Sequence, residues 1–327
     1  MVYPSFSSLL SFSLFGFSLA FNPFHSFIEH FNKSYTTPNE FSLRNQTFYD
    51  NLAFIDNFNS NDANNVKLAI NSFADLSHSE FQSKFSPLRH FWNKCDDYSS
   101  SEYDIDFAEF DWRNIDGIVS PIRDQGQCGS CWSFATLACV ESTWAIQTGN
   151  LYDLSEQELV SCSSGRPYWN QGCNGGITNS AFRYVIDNGI SFETTLPYTA
   201  KDDKCPTNLH KSPVSLSTCY NVEPENQIDL KSAVSSNSVV AVAIQADSRV
   251  FQFYSSGIIT SEECGDNLNH AVAIVGYGEE KDGTKFWTVR NSWGTSWGED
   301  GYVRILREDK ENGNSICGIA GQPSFIL

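Results

Sequence analysis

Residues 125–132 read QGQCGSCW, two cysteines three positions apart in a frame of glycine and serine. Such a pair can be a redox couple, half of a zinc site, or a nucleophile beside a structural thiol. A redox C-x-x-C is expected just after a strand in a βαβ context, and the preceding SPIRDQGQ has no strand character. Zinc needs a second ligand pair, and no second C-x-x-C or H-x-x-x-H follows. A nucleophile needs a base and a third group to orient that base. His270 stands in NLNHAVAIVGYG, at the start of a β-branched run, and Asn291 in VRNSWGTSWGEDGY, at the end of the next. An asparagine oxygen can accept from an imidazole N–H and fix the ring. Gln125, six residues before Cys131, can offer a side-chain N–H to an oxyanion. The backbone N–H of Cys131, at the start of a predicted helix, can offer a second, and the positive end of that helix favours thiolate.

Around this stretch the chain of 327 residues reads as globular, with 40% hydrophobic and 14% aromatic residues. A formal charge of −18 excludes nucleic acid or an anionic membrane as the main partner, since both would repel it. The first twenty residues, MVYPSFSSLLSFSLFGFSLA, carry no charge, and Ser18 and Ala20 place small side chains before a cleavage point after Ala20. They read as a secretory signal peptide at 1–20, although a basic residue near the start is missing. The competing reading, a membrane anchor, requires a longer and less serine-rich run, and no later segment is apolar enough to span a bilayer. Secretory routing changes the expectation for the ten cysteines, which should tend to pair, but chain order does not give the connectivity.

Residues 21–86, rich in Phe and Asn, read as helical, and the stretch around 87–107, with Pro87 and the run Ser99, Ser100, Ser101, reads as an exposed linker. From about 108 the texture is denser. CWSFATLACVESTWAIQTG has helical spacings and stops at Gly149, a helix terminator. From about 239 short β-branched runs take over: VVAVAIQ, HAVAIVGYG, FWTVRNSWG and GYVRIL. A helical half followed by a strand-rich half predicts an α+β architecture of two lobes with a cleft between them.

These residues resemble the papain-like cysteine peptidases over nearly the whole chain. QGQCGSCWSF matches the signature around that family's nucleophile, and NHAVAIVGYG and NSWGTSWGEDGY match the segments carrying its His and Asn. The resemblance implies a papain-like fold with a helical left lobe and a barrel-like right lobe. It implies Cys131 as nucleophile, His270 as acid and base, Asn291 as orienting residue and Gln125 as oxyanion donor, with no metal and no cofactor. A His-paired thiol in papain has a pKa of about 3–4, which sets the family expectation for Cys131. The resemblance pairs Cys128 with Cys173, Cys162 with Cys205, and Cys264 with Cys317. Cys139 is then expected as a small buried apolar residue, and Cys219 as a free thiol or the partner of another remaining cysteine. A tether from Cys95 to the later domain would resemble the retained mini-chain of aminopeptidase-type relatives, but nothing else in the sequence supports one.

Ahead of the enzyme, Glu40, Arg44, Phe48, Asn51, Ile55 and Asn59 recur at steps of three and four, on one side of a helix. Their order is similar to the ERFNIN motif of cathepsin L-like propeptides. Asn71, Phe73 and Asp75 are similar to the G-x-N-x-F-x-D motif, with Ala69 in place of glycine. The resemblance therefore implies a prosegment at 21–106, folded over about 26–82 with a linker at 83–106, and a peptidase domain at 107–327. The prosegment would block the cleft, loosen as carboxylates such as Asp75 protonate, and be cut near residues 105–109. Asn32 and Asn45 head N-x-[ST] sequons within it.

For substrate, Gly175 and Gly176 would let a peptide strand approach their backbone. The S2 pocket carried over is Ile177, Thr178, Ala243, Leu268 and Gln322, which implies Leu or Phe at P2 with some tolerance of polar groups. Trp293 and Trp297 would shield the His270–Asn291 pair. No insertion rich in His and Cys is evident, which favours endopeptidase over dipeptidase action. The expected partners are protein and peptide substrates and the chain's own prosegment, and the expected state is a monomer in the secretory pathway, a lysosome or acidic vacuole, or outside the cell. The rivals are a decoy that keeps the fold without catalysis, and a thiol–disulfide oxidoreductase built on Cys128 and Cys131. A decoy is expected to lack a member of the catalytic set, and here all four are present.

Overall fold

The computed structural model describes residues 22–61, 63–85, 95–100, 107–260 and 264–327. The candidate signal peptide, Pro87 and Ser101 lie outside them. Three helices open the described chain: α1 (Pro23–His30), α2 (Pro38–Asn59) and α3 (His78–Gln82). Each begins on a side chain that accepts from its first free N–H groups, namely Asn22, Thr37 and Ser77, and Ser77 completes a capping box with Glu80. Phe48, Asn51 and Ile55 form the buried stripe of α2, as their spacing predicts. Arg44 reaches from that face to the Asp75 carbonyl at 3.0 Å and the Glu80 carboxylate at 2.8 Å. Asn51 Nδ2 donates to the carbonyls of Ala74 and Leu76, and Asn59 exchanges two hydrogen bonds with Leu68. The motif is thus a clamp: its polar members close the backbone of the segment that folds back along α2.

Strands β1 (Val66–Leu68), β2 (Asp96–Tyr98) and β3 (Phe110–Asp111) lead into the later domain. Its helical lobe holds α4 (Cys131–Thr148), α5 (Glu156–Cys162) and α6 (Thr178–Asn188). Every residue of α4 from Cys131 to Thr143 is buried, so this helix runs through the core of its lobe rather than along its surface. It ends at Gly149, whose φ of 75° is the left-handed cap that favours glycine. The strand lobe follows with β4 (Cys219–Val222), α7 (Gln227–Ser236), β5 (Val240–Ile244), α8 (Arg249–Phe253), β6 (Tyr254–Ile259), β7 (His270–Glu279), β8 (Lys285–Arg290), β9 (Tyr302–Leu306) and β10 (Ser324–Ile326).

The strands form one sheet in the order β1-β6-β9-β8-β7-β5-β10-β4-β2, with β3 also on β7. β7 lies between β5 and β8 and is buried along all but its last residue, which accounts for its uninterrupted apolar run. Two apolar cores result. One gathers Trp132, Leu137, Val140 and Phe182 around α4. The other gathers Trp287, Ile305, Phe251 and Phe253 from the strand lobe, together with Phe24, Phe48 and Phe81 of the N-terminal helices. The N-terminal helices therefore share a core with the strand lobe.

Ala69, where a glycine was expected, has no positive φ, and its N–H donates to the Phe253 carbonyl at 2.9 Å. An alanine serves there because the backbone does not enter the left-handed region that favours glycine. Cys128–Cys173, Cys162–Cys205 and Cys264–Cys317 are disulfides, and Cys139 is a free, fully buried thiol. Of the two readings open for Cys219, the second holds: it is bonded to the remaining Cys95, across 124 residues of sequence, which makes a tether from Cys95 to the later domain. Among the described residues no helix is long and apolar enough to cross a membrane, and no cluster of His, Cys, Asp and Glu could hold a metal ion.

Candidate active site

Cys131 is the first residue of α4, at the interface with the strand lobe. Its Sγ accepts a hydrogen bond from the Ala271 N–H at 3.4 Å, so the first residues of β7 lie directly against the thiol. His270 opens β7 and bonds Asn291, just past the end of β8, through Nε2···Oδ1 at 2.8 Å. The Asn291 oxygen also accepts from the Ser292 N–H at 2.8 Å, which fixes the amide with its oxygen toward the ring. An oxygen only accepts, so Nε2 carries the proton and Nδ1 is left as the ring's proton acceptor. Trp293 lies over the imidazole at 4.8 Å between centroids, and Trp297 packs against Trp293 at 4.9 Å, so the two tryptophans seal the pair as expected.

Gln125 is buried and tied at both ends of its amide. Its Nε2 donates to the Cys128 carbonyl at 2.9 Å, and its Oε1 accepts from Ser292 Oγ at 2.6 Å. A primary amide has two N–H donors, so one remains for a ligand oxygen. The Cys131 N–H, at the first turn of α4, has no partner within the helix. Ser292 and Tyr198 were not singled out in the sequence. Ser292 orients Gln125, while the Tyr198 hydroxyl bonds the Gln125 carbonyl at 2.9 Å and Ser130 Oγ at 2.5 Å. Ser292 could have been found, since it follows Asn291 directly. Tyr198 has no local signal, because only the fold brings it to this loop.

Cys131, His270, Gln125, Cys128, Gly175 and Trp293 line one cleft, and the N-terminal segment supplies its cover through Phe73, Phe81, Lys84 and Phe85. Phe85 meets the His270 ring edge-on at 5.7 Å, and Lys84 bonds Gln127 on the rim. This cover sets the electrostatics. Burial pushes the Cys131 thiol up to about 11, against backbone N–H bonds from Ala271 and Trp132 that pull the other way. Burial likewise pushes His270 down to about 4, against its bond to Asn291. While the cleft is covered, burial thus works against the charged form of each group, the thiolate of Cys131 and the imidazolium of His270.

A second cavity beside the cleft brings together Gly176, Ile177, Thr178, Ala243 and Gln322, with Val242 and Ala271 added. Leu268 lies close to Gly318 and Gly321. Asn170 Oδ1 holds the Ile177 N–H at 2.8 Å and so sets the rim. Gly175 has a φ of 109°, which only glycine adopts readily. At Gly176 a Cβ would lie 2.4 Å from the Trp132 ring, so packing alone already requires glycine there.

Comparison with known proteins agrees with this arrangement. The family described as papain family cysteine protease matches residues 107–327, and the cathepsin propeptide inhibitor domain (I29) matches residues 24–81. The chain is 42% identical over 298 residues to thiol protease SEN102 of Hemerocallis sp., covering 88% of this chain and 81% of that one. It is 38% identical over 314 residues to digestive cysteine proteinase 1 of Homarus americanus, covering 94% and 95%. Among solved structures, digestive procathepsin L 3 of Tenebrio molitor larval midgut superposes with a TM-score of 0.82 at 40% identity, covering 92% of this chain and 97% of that one. A recombinant stem bromelain precursor gives 0.84 at 34% identity, covering 93% and 97%. With both domains matched in order, the chain belongs to the papain family of cysteine proteases, as an autoinhibited zymogen whose own I29 propeptide covers the cleft.

Proposed function

We propose that Cys131 is the nucleophile of a cysteine endopeptidase, with His270 as its base and acid, Asn291 as the residue that holds the imidazole, and Gln125 with the Cys131 N–H as oxyanion donors. The observation that carries this reading is the His270–Asn291 bond at 2.8 Å, with the Cys131 Sγ against the adjacent residue of the same strand. Once the cleft is open to water, proton transfer from Cys131 to His270 Nδ1 gives the thiolate. Its sulfur forms a bond to the scissile carbonyl carbon, and the oxygen takes up negative charge between the two donors. Collapse breaks the C–N bond, the amine leaves with the proton from His270, and a thioester remains on Cys131. Water, giving a proton to His270, then cleaves the thioester and regenerates the thiol.

The domain limits follow the same reading: prosegment 21–106, enzyme 107–327, with cleavage near 105–109. Acidification loosens the prosegment and starts maturation, and the contacts of Asp75 with Lys33 and Tyr35, at 3.0 Å each, are then given up. The apolar walls of the second cavity, Ile177, Val242, Ala243 and Ala271, support Leu or Phe at P2. Thr178 and Gln322 add polar atoms that tolerate some polarity there. Gly175 and Gly176 present backbone to the substrate strand. The enzyme acts as a monomer in an acidic vacuole or lysosome or outside the cell, and four disulfides fit that oxidising route.

The test is hydrolysis of fluorogenic peptides with Leu, Phe or Arg at P2 by acid-treated wild type and Cys131→Ser. Activity in wild type alone, with Leu or Phe preferred, is the expected result. Activity in Cys131→Ser overturns the catalytic assignment, and a strong preference for Arg overturns the pocket assignment.

A further inference from the structure

Both ends of the sheet are closed by strands that precede the enzyme domain: β1 pairs with β6 at one edge and β2 pairs with β4 at the other. The two are held differently. β1 belongs to the inhibitory domain and has no covalent link to the strand lobe among the described residues. β2 follows Cys95, whose disulfide to Cys219 fastens it to the first residue of β4.

The rest of this short segment is fitted to the enzyme as well. Asp96, Asp97 and Tyr98 run parallel to β4 opposite Tyr220, Asn221 and Val222. The Cys95 carbonyl accepts from Asn221 Nδ2 at 3.3 Å. Tyr98 stands edge-on to Phe325 of β10 at 5.2 Å, and its hydroxyl bonds Ser232 of α7 at 2.9 Å and accepts from Asn237 at 3.2 Å. Ser100 donates its N–H to the Asp229 carboxylate at 3.1 Å. The segment covers what would otherwise be a bare strand edge. None of its residues lines the catalytic cleft or the neighbouring apolar cavity.

We propose that Cys95–Ser100 stays on the mature enzyme as a disulfide-held edge strand, and that freeing the cleft requires a cut between Phe85 and Cys95. The inference rests on the maturation reading above, and it changes what a cut near 105–109 accomplishes. That cut alone leaves the inhibitory helices joined to the enzyme through Cys95. A tethered inhibitor acts at an effective concentration of order millimolar, whatever the dilution, so the cleft stays covered. A cut upstream of Cys95 removes the helices and leaves the strand, with or without the second cut. Because the strand lies away from the cleft, the retained piece does not narrow the enzyme to removing terminal residues.

The test has two arms. In the first, proenzyme is alkylated and digested without reductant. A peptide containing Cys95 joined to one containing Cys219 is expected, and alkylated Cys95 overturns the proposal. In the second, the active enzyme is weighed intact before and after dithiothreitol. The expected unreduced mass includes residues 95–100, either on the main chain or as a short peptide that reductant releases. An unreduced active enzyme that begins after Ser100 with Cys219 free overturns it. If acid gives no conversion, the maturation reading fails separately, and enzyme made with an added protease serves for the same weighing. Where the chain is also cut after Ser100, C95S/C219S enzyme is expected to lose the strand, and a strand that stays bound after that cut overturns the disulfide's role.

Discussion

At Cys131 two influences oppose each other: the start of α4 and the adjacent N–H groups favour thiolate, while burial under the prosegment favours thiol, and burial wins at about 11. The thiol of the proenzyme should therefore react with iodoacetamide slowly at neutral pH, its rate climbing toward pH 11. After the prosegment leaves, rapid alkylation at neutral pH is expected. Equal neutral-pH rates before and after would mean that the cover does not set the thiol's state. Gln125→Ala removes one oxyanion donor and should lower kcat by about 10²–10³-fold with little change in KM. A raised KM at unchanged kcat would make Gln125 a binding residue. Much of this was legible in the sequence, because Cys131, His270, Asn291 and Gln125 lie in three short segments of distinctive composition. Ser292 was adjacent and could have been read. Tyr198 could not, since its contact with the Gln125 loop exists only after the chain has folded over 73 residues.

At the scale of the element, α2 holds the prosegment through amides as well as through the Arg44–Glu80 ion pair. Asn51 is 3% exposed and satisfies two carbonyls, while its own oxygen accepts from Arg249 of the enzyme domain at 3.0 Å. Asn51→Ala should weaken the prosegment's hold by roughly 1–3 kcal/mol, read as basal activity of the proenzyme at neutral pH. No leak would show that the apolar stripe suffices. α3 carries a pH dependence of its own. His78 is held below its ordinary 6.5 by burial and then by the Arg249 charge, and its buried Nδ1 has no partner. The docked ring takes up a proton less readily than a free one, so as pH falls through 6.5 the released segment binds protons more than the docked one. Docking thus weakens on acidification. Glu80 works lower: burial raises it, but Arg44 and Ser77 outweigh that and hold it below 4.5, so its contribution persists above the ordinary value and is lost as pH falls through the lower one. His78→Gln should move the midpoint of acid conversion to lower pH, and an unchanged midpoint would remove His78 from the account.

Over the whole molecule, the two-lobed plan was readable because the apolar period changes once, from helical spacing before Gly149 to β-branched runs after about residue 239. What the sequence did not convey was how the prosegment packs against the strand lobe. Nothing in the sequence places Phe24, Phe48 and Phe81 in the strand lobe's core, or β1 on its sheet. Cys95 and Cys219 stood only among the open pairings, since a bond across 124 residues leaves no mark on local pattern. The central claim is that one thiol, Cys131, does the chemistry and that the prosegment alone keeps it covered. A peptidyl epoxide offered at one pH to proenzyme and to enzyme freed of its prosegment, with the labelled residue found by mass, tests it most directly. The account predicts label on Cys131 of the freed enzyme and almost none on the proenzyme. Label on Cys139, or equal labelling of both forms, would contradict it.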